Sequence, residues 1–358
     1  MVQFLIYKNI LKMDKTTIFY NNNTERNLTR QVVSQINNAK VWIKACNLFF
    51  DDSDIRNALL SALDRGVAIF ILTNLDGATG EVYTKRSKGK KWQVAQTTQN
   101  LMHSASLSKL YDAGAHISGL DGLHAKFILT DAGTGLITSL NFTPNSTKSI
   151  SELGVCVKGK ESEELEEIFD LIFLRPDQYR FASQGSHFIY ERPSETIDDS
   201  LLYRMSNVKM TLAPTERGSG NALSDCNIHD LRDEIFDIIN SAVPGEDLYI
   251  ATYSLHANAI NTDGQTIGDA LTKAKKRGVN LKVLMRKDNY KFMKGLFVNL
   301  HEDNHAKAVL TSKRGIIFTG NLTTESFEHG FDLGIILTPE QITDTKIFID
   351  KLIEQTKQ

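Results

Sequence analysis

Two histidines, each with a lysine two residues on, set this sequence apart: His124-Ala125-Lys126 and His305-Ala306-Lys307. Each is followed by a hydroxyl residue and an amide, Ser139 with Asn141 and Thr319 with Asn321, and then by an acid, Glu152 or Asp332. The Asn lies 17 residues past the His in the first set and 16 in the second, and the acid lies 11 past the Asn in both. These residue types suit a phosphoryl group. Lysine brings positive charge, asparagine N–H donors, and serine or threonine an O–H donor. An imidazole is a competent nucleophile and, near neutral pH, a proton donor. With two, one can attack phosphorus while the other protonates the departing oxygen. The acid can accept a hydrogen bond from an imidazole Nδ1–H and so turn Nε2 toward phosphorus. Donors around the equatorial oxygens then carry the transition-state charge, so neither metal nor cofactor is expected.

The elements that must position these residues are written twice. Val41–Phe50 reads as a strand, Asp54–Asp64 as a helix closed by Arg65-Gly66, and Val67–Leu72 as a wholly apolar, buried strand. Leu248–Leu255, Ile267–Lys276, Arg277-Gly278 and Val279–Met285 repeat that order. Ala125–Thr130 and Ala306–Thr311 read as strands, paired with Gly135–Ser139 and Gly315–Thr319. Residues two apart on a strand share a face, so His with Lys, and Ser or Thr with Asn, are expected at one pocket per half, the two pockets meeting in one cleft. The first half holds about 31 extra residues, mostly Asn74–Leu110, expected as a loop or lid near the site. The fold class expected is α/β: two similar halves, residues 1–195 and 196–358, each a mixed sheet flanked by helices, packed about a pseudo-twofold axis. The boundary falls near 185–210, where Gln184-Gly185-Ser186 and the polar stretch Glu191–Ser200 break the periodicity.

Composition narrows the partners. Of 358 residues, 41% are hydrophobic and 23% charged, enough for a sizeable core and unlike a disordered or collagenous chain. With 41 Lys plus Arg against 43 Asp plus Glu, any affinity for a polyanion must be local. Three cysteines, Cys46, Cys156 and Cys226, form neither a disulfide framework nor a zinc knuckle, and a reducing, cytoplasmic setting fits them. The longest apolar runs are strand-length, short of the roughly 20 residues of a spanning helix. Met1–Tyr7 is apolar but too brief for a signal-peptide core.

His124-x-Lys126-x4-Asp131, followed by Ser139-x-Asn141 and Glu152, resembles the HKD motif of the phospholipase D superfamily. The second copy resembles a degenerate HKD, with Ser312 at the motif aspartate and Asp332 in place of glutamate. The resemblance covers roughly residues 30–345. It implies the duplicated phospholipase D-like fold, a mainly structural Asp131, and a two-step transfer through a covalent phosphohistidine. Because its half carries the fuller motif, His124 is the expected nucleophile. Superfamily members act on nucleic acids or on phospholipids. Asn141-Phe142-Thr143 and Asn321-Leu322-Thr323 resemble nuclease-type members, which favours nucleic acid over an anionic phospholipid. The inserted run Lys85, Arg86, Lys88, Lys90, Lys91 and Trp92 suits a nucleic-acid backbone with a stacking base, and equally an anionic lipid surface. A third reading is a module that binds phosphate or nucleic acid without catalysis. Both motifs lie in one chain, so a monomer can be complete. His103, His116, His187, His229, His256, His301 and His329 have no repeat partner and read as packing or surface residues. Arg217–Asn221 reads as a turn.

Overall fold

Arg65-Gly66 and Arg277-Gly278 end their helices in the same way. Each glycine takes the left-handed conformation (φ 83° and 87°) that a side chain would strain. The arginines do more than suit a helix terminus: Arg65 donates to the Ile36 carbonyl (3.0 Å) and Arg277 to the Ile239 carbonyl (3.1 Å), capping the free carbonyls of the preceding helix. The repeated Arg-Gly therefore stops one helix and ties it to another.

The computed structural model describes residues 17–74, 98–120, 122–174, 206–212, 228–286, 297–328 and 330–356, with the strand backbone at 83–87, 90–94, 180–182 and 187–189. The first half runs β1 (Ile18–Asn21), α1 (Asn27–Asn38), β2 (Trp42–Cys46), α2 (Ser53–Asp64), β3 (Ala68–Thr73), β4 (Tyr83–Ser87), β5 (Lys90–Val94), α3 (Thr98–Asp112), β6 (His116–Gly119), β7 (Phe127–Thr130), β8 (Thr134–Thr138), α4 (Pro144–Lys148), β9 (Glu152–Lys158), α5 (Lys160–Phe173), β10 (Arg180–Ala182) and β11 (His187–Ile189). The second runs β12 (Val208–Leu212), α6 (Asp230–Ser241), β13 (Asp247–Thr252), α7 (Ile267–Lys276), β14 (Asn280–Arg286), β15 (Val298–His301), β16 (Ala308–Leu310), β17 (Gly315–Phe318), α8 (Thr324–Glu328), β18 (Phe331–Ile336) and α9 (Pro339–Gln355).

The strand order β1-β9-β8-β7-β2-β3-β6 in the first sheet recurs position for position as β12-β18-β17-β16-β13-β14-β15 in the second, the first sheet continuing into β10 and β11. Both sheets are mixed, with β2, β3 and β6 parallel and β7, β8 and β9 antiparallel. The insertion is not a bare loop. It contains the β4–β5 hairpin and helix α3.

Alternate residues of each sheet enter different cores. Ile128 and Leu136 face the outer core of the first half, with α1 and α2; Val309 and Ile316 face that of the second, with α6 and α7. Phe127, Leu129, Leu153 and Val155 meet Ala308, Leu310, Leu333 and Ile335 in one central core with α5 and α9. Burial on both faces is why the strands read as unbroken apolar runs. The inner helices reach across: α9 packs on β1, with Phe348 4.9 Å from Tyr20, and α5 packs on β12.

Asp131 and its missing counterpart show how the halves have diverged. Asp131, just past β7, accepts from the backbone N–H of Lys40 (2.9 Å) and Trp42 (3.4 Å), pinning the start of β2. At the matching place Ser312 instead donates its backbone N–H (2.9 Å) and its hydroxyl to Glu246, which leads into β13. The carboxylate has moved to the other strand and the clamp is kept. Slight burial raises each carboxyl, but the hydrogen bonds outweigh it and hold both below the usual carboxylate range. Asp131→Ala and Glu246→Ala are each expected to lower stability in urea by about 1 kcal/mol at pH 7, solvent keeping the effect small. The stabilisation is full above the ordinary carboxylate pKa of about 4, and the difference from wild type should fade as pH falls below it.

Candidate active site

The His-x-Lys segments do not lie on their strands. β7 begins at Phe127 and β16 at Ala308, and the motif residues precede them in extended chain that pairs with the opposite half. The backbone N–H groups of His124 and Ala125 donate to the Phe331 carbonyl (3.0 and 2.7 Å), and that of His305 to the Ser151 carbonyl (2.9 Å). Phe331 precedes Asp332, and Ser151 precedes Glu152. Each acid is thereby delivered to the other half's histidine. His124 Nδ1 lies 3.0 Å from Asp332 Oδ1, and His305 Nδ1 lies 2.9 Å from both oxygens of Glu152. The two pockets, expected to meet in one cleft, share their acids crosswise.

The hydroxyls are used differently from the expectation. Ser139 donates to Glu152 and accepts from the Leu153 N–H (2.9 Å); Thr319 donates to Asp332 Oδ1 (2.7 Å) and accepts from the Leu333 N–H (3.0 Å). Both residues are fully buried, so they hold the acids rather than facing a phosphoryl group. Asp is one methylene shorter than Glu, and the chain closes up to it. A Cβ at Gly320 would fall 2.7 Å from the Asp332 carboxyl carbon, where the first half has Leu140. Asn141 and Asn321 each bury an amide oxygen that no described residue meets. Thr143 and Thr323 accept from the Ser146 and Ser326 N–H groups (both 3.3 Å) at the starts of α4 and α8. The Asn-apolar-Thr continuation therefore anchors the asparagine loops.

Lys126 and Lys307 are wholly buried, each donating to the carbonyl of its own histidine. Burial drives Lys126 down to about 8 and Lys307 to about 7, against the pull of Asp332 and Glu152. Burial pushes Glu152 up to about 8, against Lys307 and the Ser139 hydroxyl. His124 falls below its ordinary value through burial and the Lys126 charge, with Asp332 opposing. His305 falls well below, through burial and the charges of Lys307, Lys126, His124 and Arg286. A buried, mutually repelling pair of lysines is poised for an anion.

Sequence reasoning missed two neighbours. Tyr253 stands edge-on to the His305 ring at 5.2 Å, and the Arg286 guanidinium lies 5.4 Å from the Tyr253 ring. By strand register the first half has Leu48 and Asn74 there, so aligning the halves residue by residue would have exposed the difference. Lys85, Arg86, Lys90, Lys91 and Trp92 lie on the β4–β5 hairpin, with Arg86 opposite Lys91 and Lys85 opposite Trp92. Lys88, His329, Cys226 and Arg217–Asn221 lie outside the described residues. His103 accepts the Phe50 N–H (2.9 Å) and His301 meets Gln355, both buried as packing residues, while His116 stacks on Phe70 at the surface.

Residues 32–173 match the family model described as "Cardiolipin synthase, PLD-like domain". Over those residues the chain is similar to a phospholipase D-like domain. Phosphatidylserine synthase from Haemophilus influenzae Rd KW20 aligns over 95% of this chain and 86% of its own, at 13% identity and TM-score 0.63. Polyphosphate kinase from Porphyromonas gingivalis aligns over 95% of this chain, which spans only 47% of that enzyme, at 12% identity and TM-score 0.56. Nuc from Salmonella typhimurium, a phospholipase D family member, aligns over 43% of this chain and 90% of its own, at 23% identity and TM-score 0.34. No curated protein matches significantly. The first two alignments extend the PLD-like fold across both halves. Among the described residues no helix is long and apolar enough to cross a membrane.

An anion entering between Lys126 and Lys307 should be bound with both lysines protonated. Sulfate, whose charge is constant over the range, is expected to bind on the order of tenfold more weakly at pH 8.5 than at pH 6.5. Calorimetry in buffers of different ionisation enthalpy should show proton uptake on binding at pH 8. A flat pH profile would contradict the buried lysine pair.

Proposed function

We propose that this PLD-like chain is a phosphodiesterase that needs no metal, works through a covalent phosphohistidine, and takes nucleic acid as its substrate. The observation carrying this reading is the crossed pairing: each imidazole has its Nδ1 held by a carboxylate of the other half, so both Nε2 atoms are left for one substrate. Lys126, Lys307, Asn141 and Asn321 bind the non-bridging oxygens. One Nε2 attacks phosphorus while the other imidazole gives its proton to the departing oxygen. That second imidazole then takes a proton from water as the water displaces the first from phosphorus. Two ammonium groups supply the charge a metal would otherwise bring. The clamp from Glu246 to Ser312 keeps the second half in shape without the motif aspartate, which favours an enzyme over a degraded binding module.

Nucleic acid is favoured by the insertion. It leaves the sheet at the end of β3, where Thr73 donates to the Leu48 carbonyl beside the site loops, and it brings the cations of the β4–β5 hairpin. A phospholipid substrate is the second reading, favoured by the family description and by the likeness in fold to phosphatidylserine synthase.

Labelled DNA, RNA and anionic phospholipid, each incubated with the protein in EDTA, distinguish them. Cleavage of a nucleic acid is expected, with binding that weakens steeply as salt rises. Turnover of phospholipid alone would select the second reading, and loss of all activity on chelation would defeat the metal-free mechanism. His124→Ala and His305→Ala should each cost on the order of 1,000-fold or more in kcat. Full activity in either would break the shared-site model.

A further inference from the structure

The two histidines of the shared site are not equivalent. His305 has a side-chain exposure of 11% and His124 of 25%. His305 is held on three sides. Both oxygens of Glu152 lie 2.9 Å from its Nδ1, the edge of the contact with Tyr253 closes another side, and Lys307 Nζ lies 3.3 Å from each of its ring nitrogens. A point equally distant from both nitrogens and in the ring plane would collide with the carbon between them. The ammonium therefore sits against the ring face, along neither lone pair. A cation there opposes formation of an imidazolium, and the proton on the Nδ1 side is shared with Glu152. Nε2 keeps its lone pair. His124 has a single carboxylate contact, to Asp332 Oδ1, and Lys126 bonds only its carbonyl oxygen among the described residues, leaving the ring nearer to water. Arg286, where the first half has Asn74, adds to the positive surroundings of His305.

We infer that His305, in the half with the less complete motif, is the nucleophile, and that His124 is the acid and base. The assignment rests on the phosphohistidine reading above and reverses the order that motif completeness suggests. Asp131 is no guide to reactivity, since it pins β2 and Glu246 does the same for β13. In the first step a bond forms from His305 Nε2 to phosphorus, the bond to the departing oxygen breaks with its electron pair, and His124 Nε2–H protonates that oxygen. In the second, water oxygen bonds to phosphorus, its proton passes to His124, and the N–P electron pair returns to His305.

Bis(p-nitrophenyl) phosphate tests this, because p-nitrophenolate departs without needing a proton. His124→Asn should give a burst of about one equivalent of p-nitrophenolate per protein and then stall, since only the second step lacks its base. His305→Asn should give no burst. Wild type quenched in alkali during turnover provides a measurement independent of either variant's folding, and mass spectrometry should find the phosphoryl adduct on the peptide containing His305. An adduct on His124, or a burst surviving in His305→Asn, overturns the assignment while leaving the phosphohistidine reading intact. Wild-type turnover with no histidine adduct overturns both.

Discussion

A carboxylate with essentially no solvent contact persists only where donors meet it, and here the donors for each site acid come from both halves of the chain. Glu152 takes a hydroxyl from Ser139 in its own half and an imidazole N–H from His305 in the other; Asp332 takes Thr319 and His124 in the same way. Burying two carboxylates and two lysines is expensive unless the four are brought together with hydrogen bonds to spare. That demand fixes how the halves face one another. The backbone contacts of His124 with Phe331 and of His305 with Ser151 meet it by stitching the two sheets together beside the acids.

The halves have kept this geometry while exchanging parts. Asp131 and Glu246 perform one task from opposite strands. Gly320 gives way where Asp332 is shorter than Glu152. Neither change looks like decay once the partner residue is known. Tyr253 and Arg286, where the first half has Leu48 and Asn74, give the surroundings of His305 a character those of His124 lack.

Much of the scaffold was legible because it rests on local chemistry. The left-handed glycines after Arg65 and Arg277, the apolar run of β3 and the bounds of α7 follow from propensity and periodicity. The residues gathered at the candidate site stood out in the sequence by matched spacing alone. Their pairing was not: an acid eleven residues past its asparagine has that spacing whether it serves its own half or the other. The jobs of Ser139 and Thr319 were hidden for a related reason, since a hydroxyl that holds a carboxylate and one that holds a phosphate look alike in a string of letters. The start of β7 was misplaced because His124 and Ala125 give their backbone N–H groups to Phe331 of the other half, and only the Lys126 carbonyl, accepting from Thr138, bonds to its own sheet.

The packing of α9 against β1, with α5 reaching β12 and one central core beneath both sheets, has a consequence for the life of the chain. Helix α9 of the second half covers β1 of the first, so during synthesis the inner face of the first half emerges before its cover. Asp332, which holds His124, belongs to that later half, so the crossed arrangement forms only after both halves have been made. A first half made alone would carry His124 and Lys126 without the acid that orients the ring.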